Sequence, residues 1–285
     1  MLDCRAMIPE NIYGHARRLR WLADRLDRRE SVIELGCGTG VMITLPLLRA
    51  GFDIRGIDLD AASIAFGQDL LRREGRDPAR LACADLATVG GPFHAVIASE
   101  VLEHLPDDLL HTTLETVRRR LRPGGRLLVT VPNGYGWFEA ESFLWNRAKG
   151  GAIVARLRID RLVWRLKERI LGDSFAEPYP PSTLADSPHV QRFTRASIRA
   201  LLEQHGFVVT ECTGSVLAAG QFSNLLFTGV GPVMQANGRL GATWPAVASG
   251  FLVACSVGEP GVADSRAGSR RAEDPGSGGA AAIVS

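Results

Sequence analysis

The stretch VIELGCGTG (residues 32–40) decides the fold: an apolar, β-branched run passes through Glu34 and opens into Gly36, Gly38 and Gly40. A glycine-rich turn between a strand and a helix lets backbone N–H groups approach a ligand closely, and the helix that follows adds its positive end. The spacing is G-x-G-x-G, with Val41 next, whereas a dinucleotide site asks for G-x-G-x-x-G. Glu34 ahead of the turn would repel a pyrophosphate, so the expected ligand carries a neutral or positive group there.

Outward from this loop, strand-like and helix-like runs alternate. SVIELG, FDIRGIDL, RLACADL, FHAVIASE and GRLLVTVP are short apolar or β-branched segments, separated by helical patterns over 41–50, 61–74 and 107–121. Such alternation predicts an α/β fold, a mostly parallel sheet with helices on both faces. Before it, Leu19, Trp21, Leu22 and Leu26 recur at helical spacing among arginines, giving a leading amphipathic helix over 13–29. Beyond Pro132 the alternation stops, and 134–188 reads as a helical insertion or lid. A helix over 197–205, a strand over 207–212 and GFLVACSV near Phe251 then bring the sheet to seven strands. The expectation is one domain over 1–258, with core strands within 31–133, the insertion at 134–188 and the rest of the sheet in 189–258. Residues 259–285 lack apolar periodicity and are expected to form a disordered tail.

Composition narrows the partners. Apolar residues make up 46% and charged residues 22% of 285 residues, enough for a sizeable core in a globular protein. Net charge is +2, and the basic residues are arginines apart from Lys149 and Lys167, so nucleic-acid binding has no support from charge. No N-P-P-Y segment follows the fifth strand either. Five cysteines without C-x-x-C spacing indicate neither a zinc site nor a disulfide framework. The N-terminal MLDCRAMIPENIYGHARR lacks the apolar core of a signal peptide, and no apolar run reaches membrane-spanning length, so the expected compartment is the cytoplasm.

Further acids fall at strand ends. Asp58 closes the second strand, where a carboxylate can accept both hydroxyls of a ribose, and Asp85 closes the third, where it can accept an adenine amino group or simply cap a helix. With E-x-G-x-G-x-G, GIDLD, CADL, EVLEHL and LRPGGRLLVTVPN in this order, about half the chain resembles the class I S-adenosylmethionine-dependent methyltransferases. The similarity extends to type 11/12 and ubiquinone-type O-methyltransferases. The resemblance implies a Rossmann-like sheet of order 3-2-1-4-5-7-6 with strand 7 antiparallel, and S-adenosyl-L-methionine as cofactor. It implies a cofactor site of Glu34, Gly36, Cys37, Gly38, Gly40, Asp58, Leu59, Asp85, Leu86 and Ser99. Asp58 would hold the ribose hydroxyls, and Asp85 with Leu86 would frame the adenine.

A sulfonium is already an excellent methyl donor, so the protein has chiefly to align a nucleophile and keep water out. For a hydroxyl acceptor, His104 is the candidate general base and Glu100 a second candidate catalytic residue. The segment EVLEH also sets Glu100, Glu103 and His104 at i, i+3 and i+4, a spacing that can converge on a cation if helical; the same letters occur in enzymes that need no metal. Tyr135, Trp137, Phe138, Phe143 and Trp145 suit an apolar or aromatic acceptor, or a small core of the insertion itself. Further on, Ile159, Leu162, Val163, Leu166 and Ile170 share one helical face, and Arg158, Arg161, Arg165 and Arg169 another. A lid packed through its apolar face with solvated arginines is the favoured expectation, and peripheral contact with an anionic membrane the alternative. The predicted function is methyl transfer to a small-molecule or lipid acceptor; an NAD(P)-dependent Rossmann oxidoreductase and a non-catalytic S-adenosylmethionine-binding protein are the alternatives.

Overall fold

The computed structural model describes residues 10–172 and 189–258. The tail expected at 259–285 and the end of the insertion therefore lie outside the described residues. Seven strands form one sheet of order β3-β2-β1-β4-β5-β7-β6, as the sequence resemblance implies. They are β1 (Ser31–Leu35), β2 (Asp53–Asp58), β3 (Leu81–Cys83), β4 (Phe93–Ser99), β5 (Leu121–Pro132), β6 (Phe207–Gly214) and β7 (Gly250–Val257). The first five run parallel, and β7 pairs antiparallel with both β5 and β6.

Period-two patterning puts an apolar layer on each face. Val32, Ile54 and Ile97 face α1 (His15–Ala23), α2 (Thr44–Arg49) and α3 (Ala61–Arg73) on one side. Ile33, Val96 and Val129 face α4 (Asp107–Arg120) and, later in the chain, α8 (Arg195–Gln204) on the other. Helix starts follow local chemistry. Asp60 caps α3 by accepting from Ala62 and Ser63 N–H at 3.1 and 3.2 Å, and Thr194 with Ser197 forms a reciprocal capping box at α8. Asp107 and Asp108 open α4 and Arg118, Arg119 and Arg120 close it, each sign where the macrodipole favours it.

Two features differ from expectation. The leading helix ends at Ala23 rather than continuing through 29: the Arg25 guanidinium donates to the Trp21 carbonyl at 2.8 Å, the acceptor its own backbone N–H would use in a longer helix, while that N–H turns to Leu22, and the side chain pairs with Glu211 of β6. Between β6 and β7 lie two helices without an expected counterpart, α9 (Gln221–Phe227) and α10 (Gly231–Thr243). Glycines blur the periodicity of α10, but a Cβ at Gly241 would stand 2.5 Å from the Val216 backbone, so close helix-to-loop packing requires that residue.

The insertion leaves β5 at Pro132 and carries α5 (Trp137–Ser142), a π-helical turn (Phe143–Arg147), α6 (Gly150–Arg156) and α7 (Ile159–Leu171). It is fastened through polar groups. Buried Glu141 accepts from Ser223 N–H at 2.8 Å, from the Ser223 hydroxyl and from Trp137 Nε1 at 2.5 Å, while Lys167 Nζ donates to the Asn224 carbonyl at 3.3 Å.

Candidate active site

The carboxyl ends of β1 and β4 open onto a cavity of about 580 Å³. Its floor is the loop after β1. Gly36, Gly38 and Gly40 all have positive φ (66°, 54° and 75°), which an L side chain rarely adopts. Their surroundings separate their roles. A Cβ at Gly36 would meet Val101 at 2.5 Å and one at Gly40 would meet Leu45 at 2.7 Å, whereas Gly38 faces open space and lines the cavity. Gly38 is therefore where the loop backbone is open to the cavity, and Gly40 shapes the loop from outside the lining.

Asp58, at the end of β2, braces this loop. One carboxylate oxygen accepts the Gly38 N–H at 2.7 Å and the other the Asp60 N–H at 2.8 Å. Each oxygen retains a lone pair for another donor. Glu34 lies beneath the loop, nearly fully buried, and accepts from the Thr44 hydroxyl at the start of α2. Burial, reinforced by the nearby Asp58 charge, pushes its carboxyl up to about 8 against the Thr44 hydrogen bonds. The free protein thus holds Glu34 protonated at neutral pH, not as the open negative charge its sequence position implies. Cys37 is buried and its thiol is pushed far up, chiefly by burial and then by Glu34, which leaves it unreactive.

The adenine-side candidates differ in their surroundings. Asp85 accepts the Ala87 N–H at 2.7 Å, the capping role weighed for it, and Leu59 is exposed. Leu86 is buried in the core cluster that also holds Ile57 and Phe93. Ser99 lines the cavity and is hydrogen-bonded to Thr130 at 2.8 Å.

At the opposite wall EVLEH does not form the helical turn on which its acids and histidine could converge. Glu100 has φ 55°, and only Leu102–His104 form a short 3₁₀ turn, so Glu100 does not converge with Glu103 and His104. Instead it accepts from Thr130 at 2.9 Å and pairs with Arg18 of α1 at 3.2 Å, tying the leading helix to the end of β4. His189 takes the third place. It meets the His104 ring edge-on with centroids 5.0 Å apart, and Glu103, His104 and His189 bring one potential ligand atom each within 4.8 Å of one another. The backbone of HVQRF holds this arrangement, since Val190 and Gln191 N–H donate to the Glu103 carbonyl at 2.9 and 3.0 Å. Glu103 is buried, and burial with the Glu100 charge pushes its carboxyl well up.

Several lining residues did not stand out in the sequence as single positions: Tyr13, His15 and Arg18 of the leading segment and His189 all face the cavity. Of the five aromatics named in the insertion, Phe138 of α5 lines it. Burial and the Arg18 charge hold His15 down to about 3, making it a poor base. The residues of the loop fit S-adenosylmethionine: a cradle open at Gly38, a carboxylate with spare acceptors at Asp58, and a buried acid at Glu34 toward which a cation can be drawn.

Comparison with known proteins agrees. A family model described as a methyltransferase domain matches residues 10–212. The ubiquinone biosynthesis O-methyltransferase of Caulobacter vibrioides is 33% identical over 106 residues, 36% of this chain and 41% of that one. The sphingolipid C9-methyltransferase of Candida albicans is 27% identical over 139 residues, 45% of this chain and 27% of that one. The chain thus spans less than half the length of either relative. The magnesium protoporphyrin IX methyltransferase of Synechocystis PCC 6803 with bound SAH shares the fold, at 15% identity and a TM-score of 0.50, over 87% of this chain and 83% of that one. The chain belongs to the methyltransferase-domain family, among the class I S-adenosylmethionine-dependent methyltransferases. The oxidoreductase alternative is thereby set aside. Among the described residues, no helix is long and apolar enough to cross a membrane.

Proposed function

We propose that this chain transfers the methyl group of S-adenosylmethionine to a hydroxyl of a small-molecule or lipid acceptor. The observation that carries the proposal is the two-ended cavity, with the Gly38 cradle on one wall and His104 on the other. Bound S-adenosylmethionine supplies a methyl group on a cationic sulfur that leaves as a neutral thioether. The protein's own part is placement. Asp58 and the Gly38 backbone fix the ligand's orientation, Glu34 gives up its proton to face a positive group, and Val131, Phe138 and Phe251 keep the acceptor end apolar.

His104 would take the hydroxyl proton, its ring steadied by His189 at 5.0 Å between centroids. Apolar and aromatic lining favours an acceptor with an apolar body, a class that includes quinol-like and lipid molecules. The test is methyl transfer from labelled S-adenosylmethionine to fractionated cell extract. Label is expected in a small-molecule or lipid fraction, and His104→Ala should lower turnover about 10²- to 10⁴-fold with cofactor affinity unchanged. Tight cofactor binding without transfer to any fraction would instead make the chain a binding protein.

A further inference from the structure

Helix α7 is mounted inside out. Its sequence predicts packing through the face of Leu162, Leu166 and Ile170, yet these residues are 69%, 56% and 69% exposed. The docked side carries Lys167 together with half-buried Val163 and Trp164. Lys167 is buried, lies over the Trp164 ring at 4.8 Å and donates to the Asn224 carbonyl, and burial lowers its ammonium pKa. On the helical projection the exposed apolar arc adjoins that of Arg158, Arg161, Arg165 and Arg169, all exposed.

We infer that α7 is a docking surface for an anionic lipid bilayer, with Leu162, Leu166 and Ile170 entering the headgroup boundary and the arginines pairing with lipid phosphates. Two observations select this occupant. An exposed apolar ridge with Arg158, Arg161, Arg165 and Arg169 along one flank, against the one exposed acid of the helix, Glu168, has complementarity to an anionic, apolar-cored surface. The insertion also leaves the sheet at Pro132, which lines the cavity, and Phe138 of α5 lines it as well, so the ridge belongs to the segment that walls the acceptor end. Docking would hold the cavity near the bilayer from which an apolar acceptor is drawn. The surface itself does not depend on the acceptor proposed above.

The test is co-sedimentation of the full chain, without cofactor or acceptor, with phosphatidylcholine vesicles containing or lacking phosphatidylglycerol. Saturable binding to the anionic vesicles is expected, weakened on the order of a hundred-fold when Arg161, Arg165 and Arg169 become Gln, since each cation near the surface contributes about a decade or a little less. The triple change Leu162→Ser, Leu166→Ser and Ile170→Ser should weaken it at least about tenfold while leaving the melting temperature within a degree or two, because the face is exposed. Absent binding, or equal binding to neutral vesicles, would overturn the inference. So would a large fall in melting temperature for the serine variant, which would mean that the chain covers this face itself. A dimer in sedimentation velocity that the serine variant dissociates would assign the ridge to a second copy.

Discussion

Replacing Asp58 by Ala tests the site most directly, because the carboxylate serves the loop and the ligand together. Its two oxygens accept the Gly38 and Asp60 N–H groups at 2.7 and 2.8 Å, and the side chain is only partly buried, so water can replace it at those donors. Hydrogen bonds to a charged group contribute about 1.5–3 kcal/mol each, and partial rehydration should bring the loss of stability to about 1–2 kcal/mol. Loss of the ribose contacts should weaken S-adenosylmethionine binding by about 1.5–3 kcal/mol, roughly ten- to a hundred-fold in Kd. Asp58→Asn is the sharper variant. Its amide replaces one acceptor by a donor, so either flip sets an NH₂ against a backbone N–H, and asparagine should perform no better than alanine despite its matching shape. Calorimetric titration with S-adenosylmethionine and its demethylated product, beside thermal melts of the free protein, separates the two effects. A lowered melting temperature with an unchanged Kd would make Asp58 a loop brace alone and refute its ligand role.

Glu34 should make cofactor affinity pH-dependent. With its free-protein value pushed up to about 8 and lowered by a bound cation, affinity should rise with pH by up to about a decade per unit below pH 8, and binding should release a proton. Glu34→Gln should abolish that release, measurable in buffers of different ionisation enthalpy. For folding the sign is opposite: the folded form holds its proton more tightly than the unfolded chain, so Glu34 favours stability below about pH 4.5 and that contribution is lost as pH rises toward 8. Gly38→Val should destroy binding, because a β-branched side chain at φ 54° is strained and its Cβ enters the cavity; a variant that folds and binds normally would contradict the cradle geometry. Glu141→Ala should destabilise the protein by about 2–3 kcal/mol by leaving buried Ser223 donors unpaired, with a melt as the check. Methyl transfer should survive exhaustive chelation; loss restored by Mg²⁺ or Zn²⁺ would make Glu103, His104 and His189 a metal centre rather than the surroundings of a base.

The order of the sheet was legible because short-range patterns carry it: β-branched runs of period two, helical runs between them, and glycines at 36, 38 and 40 that only a tight turn at positive φ explains. The acids at the strand ends were equally visible as residues, but not as environments. Whether Glu34 is charged depends on how deeply Thr44 and the loop bury it, and no sequence spacing reports that depth. The same holds for EVLEH. Letters at i, i+3 and i+4 converge only on a helix, and the positive φ at Glu100 breaks the helix and sends that carboxylate to Arg18, so that His189, 85 residues beyond His104, completes the cluster. In α7 the pattern showed that one face is apolar and another basic, which is a property of the helix alone. Which face meets the protein was decided by partners on α9 and by Glu141 fastening α5 beside it, contacts between segments more than fifty residues apart. Local sequence sets what a segment can be; burial and orientation belong to the whole chain once it has closed on itself.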